Sequence, residues 1–160
     1  MPSIDIIVQS PLWESEPGVE TMLHRAIEEA AAALSTSEAE LAIVLTDDSA
    51  IRLLNRDWRG IDEPTNVLSF PAKGARANEA PALLGDIVIA FETSAREAAS
   101  ENKLFLHHVA HLAVHGFLHL EGHDHDVDEQ ADAMEQLERR ILTRLGVADP
   151  YAARDARTDG

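Results

Sequence analysis

Seven of the eight histidines fall between residues 107 and 125. Within that stretch His115 and His119 are four apart, so on a helix they stand one turn above each other on the same face. Two imidazoles so placed can serve one ion. Gly122 follows three residues later and can adopt the left-handed conformation that ends a helix. The chain can then turn back and offer His125 to the same ion. There are no cysteines, which leaves His, Asp and Glu as the only metal ligands. Three neutral imidazoles with an open fourth position make a catalytic zinc site, not a closed structural one, and zinc held there would lower the pKa of a bound water to about 7. Zinc is therefore the expected metal, although imidazole also suits nickel and copper.

The spacing H-x3-H-x2-G-x2-H is that of metzincin metalloproteases, which carry a glutamate base directly after the first histidine. Here that position is Gly116, which cannot take a proton from water. The site looks hydrolytic but lacks the proteolytic base. A blander account of the histidines is a solvated ladder, because His107, His111, His115 and His119 repeat every four residues; the turn glycine argues against it. His123 shares a turn with His125 and should point elsewhere. His111 is expected to pack or to support a ligand, while His24, His107 and His108 are expected to be ordinary surface or core residues. Asp124 and Asp126 could orient an imidazole N–H or cap the next helix. His111, Glu121 and Asp124 are candidates for a general base, with nothing to choose between them.

Elements must hold these residues. The β-branched run over Ser3 to Gln9 predicts a strand, and Val19 to Leu34 an amphipathic helix. A second strand is expected over Glu40 to Leu45. Asp47 and Asp48 then supply cap chemistry for a helix reaching about Trp58 and closing at Gly60. Asn66 to Phe70 reads as a short strand stopped by Pro71, and Gly85 to Phe91 as the strongest strand. Between them the stretch from Ala72 to Leu83 is polar and Ala-rich. Helices are expected over Glu92 to Ala99, Leu104 to Leu120 and Val127 to Leu145. The sum is one α/β (α+β) domain over residues 1–146, a mixed sheet of about four strands with a zincin-like histidine-bearing helix in its C-terminal half. Residues 147–160 are expected to fray.

Composition limits the functions. Hydrophobic residues make up 45% of 160, enough for a core. No apolar run approaches the ~20 residues of a membrane helix, and no signal peptide is visible, so the expected location is the cytoplasm, away from membranes. Aromatics at 4% exclude a broad base-stacking platform. The net charge of −16 argues against a nonspecific nucleic-acid binder. It hides a local contrast, however. Between Arg52 and Arg76 five bases face three acids, while Glu121 to Glu138 holds eight acids and no Lys or Arg. Arg52, Arg56 and Arg59 fall on one helix face, either as a phosphate-facing stripe or as a solvated face paired with Asp57 or Asp48.

Several segments together resemble one family. HGFLHLEGHDH, from His115 to His125, is similar to the signature of the YbeY endoribonucleases. Leu53-Leu54-Asn55 with Trp58-Arg59-Gly60 resembles the family's "LN…(Y/W)RG" element. Thr65 to Pro71 resembles its "T-D/N-VLSFP" strand, and Gly85-Asp86-Ile87 its "LGDI" strand start. Met134-Glu135 and Leu145-Gly146 also fit. The resemblance spans roughly residues 3 to 146, departing from the common wording at Asn66 (for Asp) and His123 (for Tyr). It implies a zinc-dependent, single-strand-directed endoribonuclease that acts in 3′-end maturation of small-subunit rRNA and in ribosome quality control. It implies one Zn2+ per chain on His115, His119 and His125, a functional arginine at Arg59, and rRNA precursor as substrate. The small ribosomal subunit, its proteins and an Era-type GTPase are the implied partners. Lys73 and Arg76 could close over RNA. Two alternatives stand beside this: a metal-dependent hydrolase of another substrate, and a ribosome-associated assembly factor with a structural metal.

Overall fold

A computed structural model describes residues 2–36, 38–72, 83–123, 128–147 and 149–151. Four strands form one sheet: β1 (Ser3–Val8), β2 (Glu40–Thr46), β3 (Val67–Pro71) and β4 (Leu83–Ala90). Their order is β1-β2-β4-β3, with β1, β2 and β4 parallel and β3 antiparallel to β4 on the edge. Five α-helices join them: α1 (Val19–Leu34), α2 (Asp48–Arg59), α3 (Phe91–Ser100), α4 (Phe105–Leu120) and α5 (Asp128–Arg144). This is the expected α+β domain with a mixed four-stranded sheet, and most predicted ends fall within a residue or two of those found.

Side-chain alternation divides the sheet. Leu41, Ile43, Leu45, Ile87 and Ile89 point into a large core shared with α1, α4 and α5. The intervening Val88 and Ala90 point the other way, where Ile51 of α2 and Leu68 meet them in a smaller cluster. Both faces of β4 are therefore covered, which is why Ile87-Val88-Ile89-Ala90 is an unbroken buried run. The helices α4 and α2 consequently lie on opposite faces of the sheet.

Caps set the helix ends. Asp47 accepts a hydrogen bond from the Ala50 N–H at 2.9 Å and starts α2. Gly60, at φ +73°, ends it as expected. The segment between Pro11 and Pro17 holds more structure than a plain loop. It contains a 3-10 turn, Pro11–Ser15, that buries Trp13. The indole N–H donates to the Thr46 carbonyl at 2.8 Å, and the ring packs edge-on against Phe91.

At Val147, the first residue of the stretch expected to fray, the chain is still packed. Val147 is buried, and its N–H donates to the Leu142 carbonyl at 2.9 Å. Tyr151 reaches back to Glu138. An apolar side chain and an aromatic with a polar tip each find a site on the domain. The polar stretch 73–82, with Lys73 and Arg76, lies outside the described residues. Among the described residues no helix is long and apolar enough to cross a membrane.

Candidate metal centre

Helix α4 is apolar on most of its surface and is packed between the sheet, α1, α3 and α5. Its close approach to the sheet is made at Gly116. A β-carbon there would stand 3.0 Å from the Ile87 Cγ2 and 3.1 Å from the Ser69 Oγ. The Ser69 hydroxyl donates to the Gly116 carbonyl at 3.3 Å. Ser69 is thus a bridge between β3 and α4. A side chain at the position where a metalloprotease keeps its glutamate would press on Ile87 and Ser69.

The adjacent face of α4 carries the histidines. The His115 and His119 rings are 4.6 Å apart, and their Nε2 atoms approach to 3.0 Å. Two nitrogens on one tetrahedral zinc, at bonds of 2.0–2.1 Å, would be separated by about 3.3 Å. The pair therefore suits a shared ion. Helix α4 ends beyond it as the glycine signal requires. Gly122 has φ +94°, its N–H donates to the His119 carbonyl, and the His123 N–H donates to the Leu118 carbonyl. His125, Asp124 and Asp126 lie outside the described residues, and among the described residues no group of three metal-ligating side chains converges.

Behind His115 stands a residue that the sequence reading did not single out. Glu138 on α5 is 1% exposed. Its Oε1 accepts from His115 Nδ1 at 2.7 Å, and its Oε2 accepts from His111 Nε2 at 2.9 Å and from the Tyr151 hydroxyl at 2.5 Å. Burial pushes the carboxyl pKa up, but the hydrogen bonds from His111 and His115, the His111 charge and the Tyr151 hydroxyl outweigh it and hold the pKa down to about 2. The group is an acceptor-only carboxylate at neutral pH, so the proton in the 2.7 Å contact belongs to His115 Nδ1. The neutral ring then carries its lone pair on Nε2, the atom that faces His119. His111 spends Nε2 on Glu138, which fits the expectation of a supporting residue. The sequence did hold a signal: Glu138 occupies a place in the buried stripe Met134, Ile141 and Leu142 where an apolar residue belongs.

Other candidates fall elsewhere. His108 is buried and meets Glu97 at 2.9 Å; Glu97 also accepts from the Asn66 amide. Glu121 is half-buried at the end of α4. Arg59 is exposed on α2 and so stands on the opposite layer from His115 and His119. Arg52 is bound to Asp62 by two hydrogen bonds of 2.8 and 3.2 Å, and Arg56 to its neighbour Asp57 at 3.1 Å. Next to Arg59, Trp58 is 64% exposed and packs edge-on to Phe70 at 5.6 Å. The two rings border an apolar cleft of about 710 Å³ that Leu54, Val44 and Val88 also line.

An imidazole pair on a buried helix, backed by a buried carboxylate in an α+β domain, can present two nitrogen ligands to one ion. The comparisons name the family. Residues 9–146 match the family described as Endoribonuclease YbeY. An "Endoribonuclease YbeY" from Nitrobacter hamburgensis is 55% identical over 161 residues, covering 97% of this chain and 85% of its own. One from Rhodopseudomonas palustris (strain BisA53) is 54% identical and covers 96% of this chain and 92% of its own. The solution structure of a Thermotoga maritima protein shares the fold, with a TM-score of 0.58 at 21% identity over 92% of this chain and 97% of that one. The chain belongs to the YbeY family.

Proposed function

We propose that the protein is a zinc-dependent, single-strand-directed endoribonuclease that matures the 3′ end of small-subunit rRNA and serves ribosome quality control. The observation that carries this reading is the 3.0 Å approach of the His115 and His119 Nε2 atoms, with Glu138 behind His115, in a chain whose relatives bear the name endoribonuclease. His115, His119 and His125 would hold one zinc ion per chain. Bound there, zinc supplies Lewis-acid chemistry for a phosphoryl oxygen and an acidified water. The chain's own groups do the remaining work. His115 keeps its proton on Nδ1, away from the ion. Gly116 and Ser69 bring α4 tight against the sheet, so the histidine pair has a fixed base. Arg59 offers a guanidinium for a backbone phosphate, and Trp58 offers a ring on which an unpaired base can stack. The substrate is rRNA precursor, met in the cytoplasm on the small ribosomal subunit with an Era-type GTPase nearby.

The net charge of −16 favours a second reading, an assembly factor that reaches RNA through ribosomal partners. The two separate in one assay. Purified protein is incubated with RNA bearing the single-stranded 3′ end of the small-subunit precursor, beside folded His115→Ala and Arg59→Ala variants. Cleavage by the wild type that is lost in His115→Ala and weakened in Arg59→Ala supports the nuclease. Zinc at one per chain with no cleavage by any sample overturns it in favour of the assembly factor.

A further inference from the structure

Glu138 is the only acid buried among the described residues. A carboxylate in a helix–helix core is costly unless donors surround it. Here three do, and they come from two places: His115 and His111 on α4 and Tyr151 beyond the end of α5. The donors divide the work between the two oxygens. Oε1 is given to His115 alone. Oε2 is held by His111 and Tyr151, which prevents the carboxylate from rotating away. Tyr151 is itself fixed: its N–H donates to Asp149 at 2.9 Å, its ring lies 5.3 Å from the Arg139 guanidinium, and it meets the His111 ring edge-on at 5.9 Å.

We propose that Glu138 is a positioning residue that fixes the tautomer and aim of His115, with Tyr151 and His111 holding Glu138 in place. The consequence for metal binding rests on the function proposed above. An imidazole anchored through Nδ1–H to a carboxylate is a better and better-oriented ligand through Nε2. The short segment after α5 is then part of the site, although it lies far from the histidine motif in sequence.

Two readouts test this in the full chain. Nitrogen-15 NMR of the metal-free wild type at neutral pH reports the His115 tautomer, and chelator competition with zinc alone reports affinity. His115 is expected as Nδ1–H. Glu138→Gln, whose amide keeps one acceptor oxygen but turns an NH2 donor toward either His115 or the His111–Tyr151 pair, is expected to weaken zinc by roughly 10–100-fold, and Tyr151→Phe by a smaller factor, with secondary structure retained. A folded Glu138→Gln with wild-type zinc affinity overturns the proposal. If Glu138→Gln does not fold, Tyr151→Phe and the tautomer decide: Nε2–H at His115 overturns it. If the wild type takes up no zinc, the metal reading fails, and the tautomer alone upholds or overturns the positioning role.

Discussion

Gly116 and Ile87 are so close that a β-carbon at position 116 would stand 3.0 Å from the Ile87 Cγ2. The contact joins α4 to the middle of β4, and any side chain at position 116 would press on it. A Gly116→Glu chain is expected to lose at least about 3 kcal/mol of stability, because it both overpacks the helix–sheet contact and buries an unpaired carboxylate. Urea unfolding measures the loss, and no peptidase activity should appear. A stable variant that cleaves peptides would contradict this account of the site.

Gly122 is expected to tolerate no side chain cheaply, for a different reason. Among the described residues no atom lies within 4 Å of its Cβ position, but the backbone sits at φ +94°. Gly122→Ala should cost about 1–2 kcal/mol through the left-handed conformation alone. Because the same turn leads from His119 toward His125, zinc affinity should fall as well. Chemical unfolding and chelator competition on one preparation check both parts. A stability loss without any change in zinc affinity would separate the turn from the site.

The Arg52–Asp62 pair yields a prediction about which bases serve RNA. The Arg52 hydrogen bonds lower the Asp62 pKa below its ordinary value and raise that of Arg52. A depressed carboxyl pKa means that the pair's contribution is present above the ordinary value, about 3.9, and is lost as pH falls below it. Arg52→Gln should therefore move the Asp62 titration upward in carbon-13 NMR. Both side chains are exposed, so cleavage of RNA should change by no more than about twofold. Arg59→Ala should cost far more. Equal losses in the two would restore the basic stripe as an RNA-binding unit.

The chain shows what sequence periodicity can and cannot reach. Strands β2 and β4, helix α1 and the Gly60 and Gly122 caps were legible because each depends on neighbours within a few residues. The His115–His119 pair was legible for the same reason, since one helical turn fixes it. Glu138 was not, because its partners are 23 and 27 residues away on another helix. It also sits at the end of an acidic run that looks solvated on composition. Tyr151 escaped notice inside a polar tail, and Trp13 inside a loop bracketed by prolines, because burial of a lone aromatic depends on what the fold leaves open. Arg59 stood out through its motif, but only the sheet's two faces reveal that it belongs to the other layer.

The most direct test of the central claim is metal removal and return. Wild-type protein is stripped with a chelator, dialysed, checked for native secondary structure, and assayed on the single-stranded 3′ end of precursor rRNA before and after zinc is added back. Cleavage should vanish on stripping and return in full at one zinc per chain, while His115→Ala stays inactive throughout. Undiminished cleavage by folded, metal-free protein would contradict the assignment of His115 and His119 to a catalytic metal.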